Sequence, residues 1–147
     1  MKKTMNLSQQ PWVINTHREV NDIRDNLLDI SGGDIKESFF ILDAKKMNNY
    51  DGLYDEFSKV LRFPEYFGRN LNALDECLAD LEWLDLNAYI IFIKHSKEFL
   101  IEEKKEDVEV LVKIFNKVGE EWSLPVRLGE EWDRDPVPFH VIMQRND

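Results

Sequence analysis

Three short runs of consecutive apolar residues interrupt a chain that is otherwise patterned at helical spacing. Phe39-Phe40-Ile41-Leu42, Ala88 to Ile93 and Phe139-His140-Val141-Ile142-Met143 are rich in β-branched and aromatic residues and bounded by polar or proline-containing segments. Strands covered on both faces look like this. Between the runs, Leu53, Tyr54, Phe57, Val60 and Leu61 recur at spacings of three and four within Tyr50 to Leu61. Val108, Leu111, Phe115, Val118 and Trp122 repeat the pattern in the second interval, which predicts two amphipathic helices. Strands alternating with helices pair in parallel through crossovers. The expected fold is therefore α/β, a three-stranded parallel sheet packed by helices.

The ends of this pattern are less regular. Trp12-Val13-Ile14 reads as an extra edge strand, and Val20, Ile23, Leu27, Leu28 and Ile30 form a helical stripe that Gly32-Gly33 would end. Residues 1–37 are thus expected to be an accessory strand and helix on the same domain as a core of 38–147. Residues 123–138 hold three of the five prolines together with Gly129 and Trp132, the mark of an ordered irregular loop before the last strand. There is no internal repeat, low-complexity tract or interdomain linker. A length of 147 residues at 43% apolar content fits one domain with a sizeable core.

The segment richest in local signals is FPEYFGRNLNALDECLADLEWL, residues 63 to 84. Pro64 suits a first helical turn and Gly68 a left-handed residue that ends it, which predicts a single turn of helix. Asn70 can cap a following helix through its side-chain oxygen, and that helix is expected to run to about Trp83. Leu71, Leu74, Cys77, Leu78 and Leu81 then share the buried face. Asn72, Asp75, Glu76 and Ala79 lie opposite, with Asp80 on the flank and no basic residue interleaved. A purely solubilising helix would disperse lysines among its acids, because Glu and Lys four apart are mildly stabilising and like charges are not. Phe67 is read as core. Tyr66 is open between packing inward and serving as a rigid amphipathic anchor beside charge. Cys77, on the apolar stripe with no histidine nearby, is read as a small core residue rather than a nucleophile. Trp83, Trp122 and Trp132 are read first as core, with an interface role left open.

Charge narrows the classes of partner. The net charge is −10, and nearly all of the imbalance lies in two blocks: residues 65–85 hold one basic and six acidic side chains, and 98–135 hold six basic and twelve acidic. Nucleic acid and anionic membrane are disfavoured on electrostatic grounds, and a basic protein partner is favoured. The longest apolar run, AYIIFI, is far short of the roughly 20 residues that span a bilayer. A single cysteine cannot close an internal disulfide, and the start MKKTMNLSQQ lacks the apolar centre of a signal peptide. The expectation is a cytosolic protein.

Catalysis finds little support in the residues. Asp75 and Glu76 are adjacent on one helix and cannot flank a substrate as paired catalytic carboxylates do. His17, His95 and His140 lack metal-ligand spacing, and there is no phosphate-cradling glycine loop or nucleophile motif. No catalytic residue, metal or cofactor is expected.

The stretch PEYFGRNLNALDECLADL resembles the signature of the barstar family, intracellular inhibitors of secreted microbial ribonucleases, in its spacing Pro-Glu-aromatic-aromatic-Gly-x-Asn-Leu-x-Ala-Leu. The resemblance extends over about two-thirds of the chain and leaves out residues 1–37 and 123–138. It implies that the loop aromatic and the helix acids enter the ribonuclease's basic cleft in place of RNA phosphates. Carried over by position, it makes Tyr66 the loop anchor, gives Gly68, Asn70 and Leu71 backbone contacts, and makes Glu76 the central acid. Glu121 matches a further acid of the pattern, and Asn72, Asp75 and Asp80, read from the exposed acidic face of the helix, complete the expected partner-binding set. Three positions depart from the prototype pattern: Asn72 stands in place of an aspartate, Asp75 in place of a tryptophan, and Lys117 in place of an acid in the last long helix. The expected function is an immunity protein, monomeric in a one-to-one complex with a basic toxin ribonuclease. The alternative is an acidic adaptor for a basic protein that is not an enzyme.

Overall fold

The computed structural model describes residues 9–31 and 36–145. Among these, four strands form one sheet: β1 (Val13–Thr16), β2 (Phe39–Asp43), β3 (Tyr89–Lys94) and β4 (Phe139–Gln144), in the order β1-β4-β3-β2 with every pairing parallel. The helices are α1 (Val20–Ser31), α2 (Tyr50–Leu61), α3 (Leu71–Asp80) and α4 (Lys105–Trp122). The expected α/β fold with a parallel sheet is present, but the sheet has four strands rather than three. The N-terminal strand is a full member, paired with β4 from Val13↔Val141 to Thr16↔Gln144. It is short and half-buried, so on its own it carries little apolar signal.

Tertiary contacts hold β1 in place. Trp12, only 4% exposed, lies against α4 at Gly119, where an added Cβ would sit 2.5 Å from Trp12 Cβ and Cγ. Trp12 Nε1 donates to Glu120 Oε2 at 3.1 Å, and the backbone N–H of Val141 donates to the Trp12 carbonyl at 2.8 Å.

Strand order decides which face each helix covers. From β2 to β3 to β4 the chain steps in one direction, so right-handed crossovers put α2, α3 and α4 on one face. From β1 to β2 it travels back across the sheet, which puts α1 on the other. The buried clusters follow this division. Tyr89, Ile91, Ile93, Val141 and Met143 pack with the three helices, whereas Ile90, Phe92 and Ile142 pack with Ile23 and Leu27 of α1. Covering on both faces is why β3 is apolar without alternation. The glycine pair expected to end α1 lies outside the described residues.

The ends of α2 and α4 are joined by polar contacts. The Tyr50 hydroxyl donates to Asp107 Oδ1 at 2.6 Å, and the Lys104 N–H donates to Asp107 Oδ2 at 3.0 Å. These bonds, led by the one from Tyr50, hold the Asp107 carboxyl below its ordinary value. A depressed carboxylate contributes stability above its unfolded-state pKa of about 3.9 and loses it as pH falls through the lower folded value. Asp107→Asn should therefore melt below the wild type at pH 7, with the two melting curves converging as pH is lowered from about 4. A gap that stayed constant down to pH 2 would show that the carboxylate's charge is not what stabilises.

Candidate functional site

The segment before α3 and the first turns of α3 form a compact surface unit. Residues Pro64 to Phe67 make a tight turn closed by the Phe67 N–H on the Pro64 carbonyl at 3.0 Å, where the sequence suggested a turn of helix. The left-handed residue is Arg69 (φ 51°), not Gly68. Arg69 can hold that conformation because its guanidinium is gripped by two carboxylates of α2, Asp51 at 2.7 Å and Asp55 at 2.8 Å, and lies over the Tyr54 ring. Gly68 serves close approach instead: a Cβ there would meet Asn70 Nδ2 at 3.3 Å and Ala73 Cβ at 3.5 Å.

Asn70 caps α3 as its residue type and position suggested, Oδ1 accepting from the Ala73 N–H at 2.8 Å. Asn70→Ala should cost about 1 kcal/mol of stability. Asn70→Asp should keep most of it, because a carboxylate serves the same N–H and suits a helix N-terminus. Urea titrations of the two variants check this, and equal losses would show that the cap is not the cause.

The helix ends three residues earlier than the spacing suggested. Leu81 takes a left-handed conformation (φ 47°) and is fully buried. Trp83 folds back, and its Nε1 donates to the Leu61 carbonyl at the end of α2 at 2.9 Å. The buried stripe of Leu74, Cys77 and Leu78 is as expected, with Leu71 half-buried. Burial, with Asp80 and Glu76 nearby, pushes the Cys77 thiol up. The thiol therefore stays protonated and unreactive at neutral pH.

The acidic face divides in two. Asp75 does not share the open surface with Glu76: it is half-buried against α4 and pairs with Lys117 Nζ at 2.8 Å. Lys117 also reaches Glu121 at 3.4 Å. The hydrogen bond that Lys117 donates to Asp75, more than the nearby charges, raises the ammonium above its ordinary value. No base is interleaved along α3, but α4 supplies one.

Tyr66, by contrast, is 72% exposed, while Phe67 is half-buried between Tyr54 and Phe63. Tyr66, Gly68, Glu76, Cys77 and Asp80 line one small concavity of about 120 Å³. Pockets for drug-sized ligands run to about 300–1,000 Å³, so this one is too small for such a ligand. Desolvation first, then the charges of Asp80 and Glu82, hold the Tyr66 phenol above its ordinary value. It remains a hydrogen-bond donor at neutral pH. Asn72 is exposed on the next turn, and Glu121 stands apart beside Lys117.

Two features escaped sequence reading. The Lys117 pairing joins residues 42 positions apart, which no local pattern reveals. Trp132 is 65% exposed rather than core. Its charged neighbours Glu130, Glu131 and Asp133 were the signal available. Among the described residues no cluster of His, Cys, Asp and Glu could hold a metal ion, and no helix is long and apolar enough to cross a membrane.

Residues 37–144 match the family described as Barstar (barnase inhibitor). The candidate ribonuclease inhibitor YrdF of Bacillus subtilis (strain 168) is 30% identical over 86 residues, which cover 57% of this chain and 92% of that protein. Strand β1 and helix α1 precede the family match, which takes in β2 through β4 and the whole of the turn-and-helix unit. With the larger part of its length matched, the chain belongs to the barstar family.

Proposed function

We propose that this protein is an immunity protein that inhibits a toxin ribonuclease in the cytoplasm. It would act as a monomer in a one-to-one complex, closing the enzyme's basic active-site cleft with the 63–70 turn and α3. The observation that carries this reading is the grouping of an exposed aromatic, Tyr66, with the carboxylates of Glu76 and Asp80 around one concavity. A cleft built for polyanions presents several cations close together. A carboxylate that meets them gains long-range steering and short-range pairing, and an aromatic ring supplies apolar area at little entropic cost. In this reading Gly68, Asn70 and Leu71 give backbone contacts at the turn and Asn72 lies on the rim. Asp75 and Glu121 take part as a patch already balanced by Lys117.

The test is a titration of the protein against a panel of small basic ribonucleases with barnase as the reference member, following both binding and RNA cleavage. One-to-one inhibition of a panel member is expected. Tyr66→Ala should weaken it by about 2 kcal/mol, roughly 30-fold, as for a central interface aromatic. Binding that left cleavage intact would favour an acidic adaptor instead.

A further inference from the structure

We infer that the groove between the segment after α3 and the 123–138 loop is a second docking surface for the same ribonuclease, which takes up a basic loop of that enzyme with Trp132 as anchor. The inference rests on the inhibitory reading above. The groove is far larger than the Tyr66 concavity, about 830 Å³, and Asp80 lines both. The two surfaces are therefore continuous, and a partner seated on Tyr66 and Glu76 meets the groove next.

The charges left available in the groove are of one sign. Arg134, the one basic residue in its lining among the described residues, is used inward: its guanidinium lies 4.2 Å over the Trp122 ring and donates to the carbonyls of Glu121 and Leu124 at the end of α4. Asp135 is paired with Arg127 at 2.7 Å, and Asp133 accepts from the N–H groups of Leu128 and Gly129. Asp80, Glu82, Asp85 and Glu131 are exposed, and none has an ion-pair or side-chain hydrogen-bond partner among the described residues. A chain of net charge −10 disfavours a second copy of itself in such a groove, and a polyanion still more.

The loop is shaped to keep apolar surface outside. Val126 and Arg134 form an antiparallel bridge through bonds of 2.9 and 3.1 Å, and Asp133 closes the tip. This frame leaves Leu128 69% and Trp132 65% exposed, while Trp12 and Trp122 are almost fully buried. A ring carried on a loop with a hydrogen-bonded frame costs little backbone freedom on binding, which suits an anchor. The available acids match a basic element, and the ring gives its aliphatic or guanidinium parts a surface to stack on.

The experiment uses the full chain and the ribonuclease panel, barnase included. Trp132→Ala is expected to weaken inhibition about tenfold or more, and Glu131→Lys to slow association at low salt. Complex formation should shift tryptophan emission to the blue and protect it from acrylamide, and both changes should vanish in Trp132→Ala. If Tyr66→Ala weakens inhibition while Trp132→Ala stays within twofold and Trp132 stays open to quencher in the complex, the groove assignment is overturned and the inhibitory reading stands. Absence of inhibition across the panel overturns both.

Discussion

Glu76→Lys is expected to abolish measurable inhibition, raising the dissociation constant by about 10³-fold or more. Placing a like charge against a basic cleft costs several kcal/mol, and each 1.4 kcal/mol is about tenfold in affinity. Glu76→Ala should lose about 2–4 kcal/mol, as a truncated hot-spot residue does. The contrast with its neighbour is the sharper test. Asp75 is already paired with Lys117 at 2.8 Å and half-buried, so Asp75→Asn should change affinity less than tenfold. Stopped-flow association across a salt series separates the contributions. Glu76 variants should lose both rate and salt dependence, and Asp75→Asn should lose little of either. Equal effects at the two positions would mean that the partner displaces Lys117 and that the acidic face acts undivided.

The largest effect on folding is expected at Trp122. Its ring is 5% exposed and lies against Tyr89 at 5.1 Å, its Nε1 donates to the Leu78 carbonyl of α3 at 2.8 Å, and it is covered by Arg134. Trp122→Ala removes a core aromatic and leaves a helix-end carbonyl unpartnered, for a loss of about 3–5 kcal/mol. For a chain of this size that lowers the melting temperature by roughly 10 °C. Because the same ring anchors α3 from below and the 123–138 loop from above, the loop should also become more sensitive to proteolysis. Trp132→Ala, at an exposed ring, should stay within about 0.5 kcal/mol of wild type. Circular dichroism melts and limited proteolysis read both outcomes, and a Trp122 variant as stable as the Trp132 one would contradict the anchoring role.

The expectations that succeeded and those that failed differ in range. Helix α2 has the bounds that its apolar spacing predicts, and the cap at Asn70 is the one its residue type predicts, because both arise within four residues of chain. The end of α3 was misplaced because Leu81, buried as its spacing predicts, turns left-handed, and Trp83 folds back to cap α2. Periodicity continues through residues that tertiary contacts have turned elsewhere. The left-handed residue fell to Arg69 rather than Gly68 because Asp51 and Asp55 of another helix hold it, a stabilisation that glycine preference alone does not anticipate. Strand β1 was visible only as an accessory because its burial comes from Trp12 against Gly119, more than a hundred residues away.

By itself the sequence determined the α/β alternation, the buried stripe of α3, the acidic excess around it and the family signature, since each is a local pattern of polarity or residue type. Tertiary structure alone decided which acids remain available to a partner. A carboxylate's effective charge depends on what stands within a few ångströms of it, and only the packing of α4 on α3 brings Lys117 to Asp75 while leaving Glu76 and Asp80 beside an exposed Tyr66.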